Sequence, residues 1–150
     1  MFTPVPGAVR VFWLRPTDVP PCPDTVIHGR GRSGATGTAT RIIGWGQTCP
    51  TSGCGGLPAV ANELDTSILP DNRCGGINGP GEICTDNPGG SAGACYGDSG
   101  GPQVRQIGGR WNAIGATSRG PGVCGTTPYV YGDLTYIRSW INSTVGGLPG

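Results

Sequence analysis

The sequence is poor in the side chains that act as bases near neutral pH. Its 150 residues include no lysine and a single histidine, His28, and its formal net charge is +1. A charge so near zero argues against a nucleic-acid partner and against an acidic membrane surface. No stretch is long and apolar enough to span a bilayer. These absences predict a protein with neither a nucleic-acid partner nor a membrane partner.

Glycine and proline, by contrast, are plentiful. The 30 glycines and 15 prolines approach the share at which low-complexity disorder becomes a serious alternative. Short apolar stretches recur between them, however, and this pattern favours a folded all-β domain. A length of 150 residues is typical of one domain, which can bury a core without the help of a metal.

Seven cysteines, at positions 22, 49, 54, 74, 84, 95 and 124, indicate an oxidising compartment and a disulfide framework. A zinc site would need clustered cysteine pairs, whereas these spacings are irregular and only His28 could add an imidazole ligand. We therefore expect no metal. The cysteines predict a secreted protein, although the segment MFTPVPGAVRVFWLRP lacks the sustained apolar core of a secretory signal.

The pattern of the chain changes near Thr38. Residues 1–37 are rich in Pro, Arg and Gly, which predicts mostly irregular structure. Beyond them, TATRIIGWGQ, AVANELDTSILP and TPYVYG predict strands, and PQVRQIGGRWNAIGATS predicts a hairpin that turns at Gly108 and Gly109. The segment DLTYIRSWINSTV has helical spacing, with Asp133 as a candidate N-cap. One face of that helix contains Leu134, Ile137 and Ile141.

The stretch ACYGDSGGP places Ser99 inside a glycine-rich turn. A serine in such a turn can be a nucleophile, although its hydroxyl stays weak until a neighbouring base takes the proton. The alternative is a tight turn with an inert serine. The motif GDSGGP at 97–102 resembles the nucleophile motif of the chymotrypsin/trypsin family of serine proteases.

Four other segments carry the same resemblance in the order of that family. IIGWG at 42–46 resembles the strand that opens the second barrel, and GEICTD at 81–86, with Cys95, brackets the loop before the nucleophile. GATSRG at 115–120 resembles the substrate-binding strand, and YIRSWI at 136–141 resembles the closing helix. The amino-acid composition, without lysine and with many Arg, Gly and Ala residues, is similar to that of actinobacterial secreted members of the family.

The resemblance covers residues 38–145 and implies the C-terminal six-stranded antiparallel β-barrel of the chymotrypsin-like fold, closed by a C-terminal α-helix. It implies Ser99 as the nucleophile, with the N–H groups of Gly97 and Ser99 as an oxyanion hole. It also implies that Asp98 supports this loop by pairing with an α-amine released by zymogen cleavage. The implied substrate is a peptide or protein, and no cofactor is implied.

The family's substrate pocket maps onto a second set of residues. Ser118, Arg119 and Gly120 align with the edge that pairs with the substrate backbone as an added strand. Trypsin-like members that select Arg or Lys have an aspartate six residues before the nucleophile, where this chain has Gly93. Tyr129 stands where many members have a glycine, and it is expected to fill part of the pocket. The resemblance therefore implies an uncharged, shallow pocket that prefers small or modest apolar side chains.

Family alignment also implies the disulfides Cys74–Cys84 and Cys95–Cys124. Cys49 and Cys54 are close enough in TCPTSGC to close their own small loop, which leaves Cys22 free.

The sequence departs from the family in the residues that activate the serine. Family members have the triad histidine and aspartate, and an Ile-Val-Gly-Gly-like start, in a first barrel before IIGWG. This chain has no Ala-Ala-His-Cys-like motif, and His28 lies fourteen residues before Ile42, where the family has its interdomain segment. We interpret His28 as a loop or strand residue without a catalytic role, and Asp18 and Asp24 do not fit the family pattern. The expectation is that the first barrel is missing.

These observations predict three regions: a non-family leader at 1–37, the C-terminal barrel at 38–145 and a short tail at 146–150. The leader is interpreted as the product of a truncation or frameshift, and the alternative is a leader that evolved separately in a pseudo-enzyme. Two functions stay open. One is a serine endopeptidase by family that is nearly inactive as an isolated chain, and the other is a non-catalytic pseudo-protease or peptide-binding fragment.

Overall fold

The computed structural model describes residues 3–4 and 34–146. It contains seven strands, which are β1 (Thr3–Pro4), β2 (Ala39–Gly44), β3 (Asn62–Leu69), β4 (Glu82–Thr85), β5 (Pro102–Ile107), β6 (Arg110–Arg119) and β7 (Tyr129–Asp133). One α-helix, α1 (Arg138–Val145), follows the last strand, and two short 3-10 helices occupy Asp71–Arg73 and Pro88–Gly90.

Six of the strands close into an antiparallel barrel. Strands β3, β2, β5, β6, β7 and β4 pair in that order, and a further pairing of β3 with β4 closes the ring. Strand β1 lies outside the ring and adds to β3, with Thr3 opposite Glu63 and Pro4 opposite Asn62. The six-stranded barrel with a C-terminal helix is confirmed, whereas the pairing of β1 was not predicted from the composition of residues 1–37.

The hairpin between β5 and β6 turns where the sequence predicts. Ile107 pairs with Arg110, so the turn has two central residues, Gly108 and Gly109. Their φ angles are 58° and 78°, a left-handed conformation that glycine adopts without steric cost. The glycine pair therefore fixes the register of this hairpin. The hairpin connects β5, which follows Ser99 in the chain, with β6, which is hydrogen-bonded to the turn that contains Ser99.

The start of the helix differs from the prediction. Asp133 belongs to β7, and α1 begins at Arg138, with Ile137 as its N-cap residue. Oδ1 of Asp133 instead accepts hydrogen bonds from the N–H groups of Thr135 (2.8 Å) and Tyr136 (3.2 Å). The carboxylate thus caps a turn that precedes the helix, because an Asp side chain can bond the backbone two residues on. In the part of the chain that the structure describes, every residue of α1 is at least partly exposed to solvent.

The barrel interior combines apolar side chains with one polar bridge. Gln103 of β5 is fully buried; its Nε2 donates to Thr40 Oγ1 at 3.0 Å, and its Oε1 accepts from Thr85 Oγ1 at 3.2 Å. This bridge joins β5 to β2 and β4 and satisfies an amide that would otherwise be costly to bury. The apolar core around it includes Ile42, Ile68, Ile83, Ala94, Ile114, Tyr129 and Tyr131.

Three disulfides connect the loops between strands. They join Cys49 to Cys54, Cys74 to Cys84 and Cys95 to Cys124, which are the pairs expected from the sequence. Cys22 lies outside the described residues. The helices of the described segments are all too short and too polar to cross a membrane. Across residues 3–4 and 34–146, no three His, Cys, Asp or Glu side chains are arranged to hold a metal ion.

The disulfides are expected to contribute unequally to stability. Cys49–Cys54 spans a sequence separation of 5 and Cys95–Cys124 a separation of 29. Because loop-closure entropy grows with loop length, replacing the first pair by alanine should lower the free energy of unfolding by about 2 kcal/mol, and replacing the second by about 3.6 kcal/mol. Chemical denaturation of the two double variants measures this difference. Equal losses would contradict the chain-entropy explanation.

Candidate active site

Ser99 lies at an exposed bend that is built by backbone hydrogen bonds. The N–H of Asp98 donates to the Cys95 carbonyl at 3.0 Å, and the Asp98 carbonyl accepts from the N–H of Gly101 at 2.8 Å. Gly97 has a φ of 99°, which a residue with a Cβ rarely adopts. Two consecutive turns therefore present the Ser99 side chain to solvent just before the start of β5.

The bend is tied to the strand that the sequence predicts as the substrate edge. The N–H of Gly100 donates to the Thr117 carbonyl at 2.9 Å, and the N–H of Thr117 donates to the Gly101 carbonyl at 2.9 Å. Thr117 Oγ1 adds a third bond to the Gly101 carbonyl at 3.1 Å. These bonds hold Ser99 beside Ser118.

Two backbone donors at the bend are left unused. Among the described residues, the N–H groups of Gly97 and Ser99 donate to no acceptor. Both residues are exposed, so water or a ligand can reach these groups. An oxyanion hole consists of preorganised hydrogen-bond donors for a developing negative oxygen. The free N–H groups of these two residues, one on each side of Asp98, can provide such donors.

The Asp98 side chain turns inward from the bend. It is 5% exposed, its Oδ1 accepts from the N–H of Gly46 at 2.7 Å, and its Oδ2 accepts from the N–H of Cys95 at 2.8 Å. Burial raises the pKa of this carboxyl above its ordinary value, and the two hydrogen bonds act in the opposite direction. No cation among the described residues pairs with Asp98.

Two glycines of the segment IIGWG make room for this carboxylate. A Cβ atom at Gly44 or Gly46 would overlap the carboxylate atoms of Asp98. Sequence reasoning treated IIGWG only as a resemblance to a strand and missed this role. The available signal was the pair of glycines next to a strand, which often marks a close approach of another chain segment.

A cleft of about 210 Å³ opens beside Ser99. Ser118, Gly120, Tyr96 and the Cys95–Cys124 disulfide contribute to its wall. The structure thus brings the predicted nucleophile, the predicted substrate edge and one predicted disulfide to a single cleft.

The Tyr129 ring fills space at one end of this cleft. A Cβ atom at Gly93 or at Gly120 would overlap ring atoms of Tyr129, so the ring lies directly against both glycines. The phenol oxygen accepts a hydrogen bond from the N–H of Gly125, and the side chain is 3% exposed. Burial raises the pKa of Tyr129 above its ordinary value.

The segment Ser118–Gly120 has one unpaired edge. Strand β6 pairs with β5 as far as Ala116 and with β7 as far as Arg119, with an irregularity between Thr117 and Arg119. Beyond Ala116, no described strand lies on the β5 side. An exposed strand edge can accept an extended peptide as an added strand.

The loop closed by the Cys49–Cys54 disulfide, together with Gln47 just before it, supports the bend that contains Ser99. Sequence reasoning did not connect this loop to the site. The backbone N–H of Gln47 donates to the Tyr96 carbonyl at 2.8 Å, one residue before Gly97. The buried Gln47 side chain holds the disulfide loop, with Nε2 donating to the Thr51 carbonyl at 3.0 Å and Oε1 accepting from the N–H of Gly53 at 3.0 Å.

No histidine is placed near Ser99 by the described residues. His28 and the two aspartates that precede it, Asp18 and Asp24, lie outside the described residues. Residues 34–146 contain no histidine, so the described part of the site includes the nucleophile without an imidazole base.

Comparison with known sequences decides the family. The sequence profile of the trypsin family matches residues 20–141. The chain belongs to the trypsin family. The match begins inside the segment interpreted above as a non-family leader, and the boundary at residue 37 stays a prediction.

Individual relatives support this membership. The chain is 34% identical to spermosin of Halocynthia roretzi over 119 residues, which are 75% of this chain and 29% of spermosin. It is 32% identical to fibrinolytic enzyme isozyme C of Lumbricus rubellus over 129 residues, which are 77% of this chain and 52% of that enzyme. The chain thus spans about half the length, or less, of these relatives. Both relatives are eukaryotic proteins.

A solved structure has the same fold. A mutant of human heparin binding protein superposes with a TM-score of 0.65 at 26% sequence identity, covering 81% of this chain and 51% of that protein. The fold of this chain is therefore similar to about half of that longer protein.

The space around Asp98 can be tested with two matched glycine variants. Gly44→Ala should place a methyl group against the carboxylate and lower the free energy of unfolding by about 1–3 kcal/mol, which is typical of overpacking. Gly56→Ala is the control, because a Cβ there has no atom within 4 Å. Denaturant titration of both variants measures the difference. Equal stability of the two variants would contradict the close approach of Asp98 to Gly44.

Proposed function

We propose that this chain carries the nucleophile and the substrate-binding half of a trypsin-like serine endopeptidase, with Ser99 as the residue that is acylated. The observation that carries the proposal is the exposed Ser99 between a cleft and two N–H groups, its own and that of Gly97, which have no acceptor among the described residues. Asp98 supports the same bend from inside, through its hydrogen bonds to Gly46 and Cys95.

The proposed reaction follows from this arrangement. A peptide pairs with the free edge at Ser118–Gly120, and its scissile carbonyl lies above Ser99. The Ser99 oxygen attacks the carbonyl carbon while a base takes the proton of the hydroxyl. The resulting oxyanion accepts hydrogen bonds from the N–H groups of Gly97 and Ser99. The amine then leaves with the proton from that base, and water hydrolyses the acyl-enzyme.

The base is the part that the described residues do not provide. In subtilisin, loss of the triad histidine alone lowers turnover by about a millionfold. The 150-residue chain tested by itself is therefore expected to have almost no peptidase activity. In this proposal a first barrel of the family type is the partner that provides the histidine, the aspartate and an amine for Asp98.

A second candidate function is a non-catalytic peptide-binding module. The observation that favours it is that the free edge and the cleft are complete within residues 34–146, while no imidazole is present there. Such a module would bind an extended peptide without cleaving it. The two functions differ in whether Ser99 becomes covalently modified.

Secretion is part of the proposal and is supported by the three disulfides, which persist in oxidising compartments. The likeness to actinobacterial members and the foreign origin of residues 1–37 stay predictions from composition. Reading the DNA upstream of Met1 in all three frames for an Ala-Ala-His-Cys-like motif would test the origin of residues 1–37.

The catalytic part of the proposal predicts a dependence on Ser99. The chain alone should hydrolyse no peptide in a Ser99-dependent way and should react only faintly with a serine-directed phosphonate. Addition of a first barrel from a close relative should produce both activities, and Ser99→Ala should abolish both. Activity assays and intact-mass labelling measure the two effects.

His28→Ala is the control for the base. It should change neither activity in either state, because the base comes from the added barrel. Hydrolysis by the chain alone that disappears with His28→Ala would show that His28 is the base. Peptide binding without any labelling of Ser99 in the complemented protein would favour the peptide-binding module.

The Tyr129 ring predicts a preference for small side chains in the cleft. Phosphonates with an alanine-like group at the pocket position should label the complemented protein faster than those with a phenylalanine-like or arginine-like group. Tyr129→Ala should reverse this order by opening the space beside Gly93 and Gly120, whereas Tyr129→Phe, which keeps the ring, should retain it. The ratio of labelling rates within one variant is independent of its stability. Faster labelling of the complemented protein by the arginine-like phosphonate, with Tyr129 unchanged, would contradict the prediction of a small pocket.

A further inference from the structure

The side chain of Arg119 leaves the substrate edge and reaches a different loop. Its Nη2 donates to the Gly76 carbonyl at 2.8 Å and to Glu82 Oε2 at 2.9 Å, and its Nη1 donates to Glu82 Oε1. This is a two-pronged arginine–carboxylate pair with a third bond to a backbone carbonyl. Pairs of this kind have a defined geometry, because the planar guanidinium matches the carboxylate.

The acceptors of these bonds are themselves held in place. Glu82 is the first residue of β4, where it pairs with Gly132 of β7, and its Oε2 also accepts from the N–H of Asn78 at 2.8 Å. Gly76 and Glu82 lie in the loop that the Cys74–Cys84 disulfide closes. The guanidinium therefore binds an anchored acceptor set, unlike a typical exposed ion pair between two mobile side chains.

The charges of the pair reinforce each other. Hydrogen bonding to Arg119 lowers the pKa of Glu82 below its ordinary value, and hydrogen bonding to Glu82 raises the pKa of Arg119. Both groups are therefore charged at neutral pH. The Glu82 side chain is 18% exposed and the Arg119 side chain 43% exposed, so solvent reaches the guanidinium and weakens the charge interaction, while the geometry of the bonds is kept by the anchored acceptors.

The substrate edge needs such an anchor. Beyond Ala116 no described strand pairs with β6 on its β5 side, and the pairing with β7 is irregular between Thr117 and Arg119. Gly120, the last residue of the edge, has no side chain with which to hold itself. Of the three residues of the edge, Arg119 is the one whose side chain bonds to a neighbouring loop.

We infer that Arg119 is a positioning residue, which holds the edge Ser118–Gly120 extended by bonding its guanidinium to Glu82 and Gly76. The importance of this edge for a substrate rests on the proposed function. The positioning itself is a property of the ligand-free chain, so the two can be tested separately.

The test compares Arg119→Gln, Glu82→Gln and the double variant with the unmodified chain. Hydrogen–deuterium exchange of the amides of residues 117–120 should become about three- to tenfold faster in each single variant, as expected when a charge-assisted bond is lost. The double variant should match Arg119→Gln, because that substitution already removes the ion pair that Glu82→Gln disrupts. Dissociation constants for a blocked tetra-alanine peptide, measured by fluorescence or NMR titration, should rise by a similar factor.

Arg41→Gln is the matched control. Arg41 on β2 forms a two-pronged pair with Asp65, at 2.6 and 2.9 Å, and does not line the cleft. Its loss should change neither the exchange of residues 117–120 nor peptide binding. Arg119→Lys keeps the charge without the fork, and should not restore slow exchange.

The outcomes separate the two claims. Unchanged exchange in Arg119→Gln, or additive effects of Arg119→Gln and Glu82→Gln, would overturn the positioning role. Failure of the unmodified chain to bind the peptide would contradict the proposed function, while the exchange data would still decide the role of Arg119. Faster exchange in the variants together with unchanged peptide affinity would confirm the positioning role and would contradict its importance for peptide binding.

Discussion

The site depends on the hydrogen bonds of the Asp98 carboxylate. This side chain is buried beneath the bend that contains Ser99, and it accepts hydrogen bonds from the N–H groups of Gly46 and Cys95. An ionised group in such a place is costly unless its oxygens are satisfied, so the segments that provide the two donors must stay where they are. On either side of Asp98, the N–H groups of Gly97 and Ser99 have no acceptor among the described residues.

The loops around the cleft share the same design, in which a short segment is held at several points. The Cys49–Cys54 loop bonds to the bend through Gln47, and the Pro50 carbonyl accepts from the N–H of Cys124 at 2.8 Å. Arg119 ties the substrate edge to the Cys74–Cys84 loop. Disulfides thus close the loops, and hydrogen bonds connect the closed loops to the nucleophile bend, which reduces the freedom that each exposed segment would otherwise have.

Much of the fold and part of the site could be predicted, and the failures have a common cause. The hairpin turn at Gly108 and Gly109 follows from local turn chemistry, and the strands follow from short-range patterns. The predicted start of the helix was wrong, because an Asp carboxylate can cap either a helix or a turn. At Asp133 the surrounding structure selects the turn, and the helix begins later. The role of Gly44 was missed because its reason, the Asp98 side chain, lies far along the chain.

By itself, the sequence determined the trypsin-like barrel, the serine in its glycine-rich turn and the cysteines available for loop closure, because these depend on motifs and local patterns. It also determined that one histidine, His28, is the only imidazole in the chain. The tertiary structure alone decided that the Tyr129 ring lies between Gly93 and Gly120, and that Arg119 turns to Glu82. These are contacts between residues that are distant in sequence, and closure of the barrel is the event that brings such residues within reach of each other.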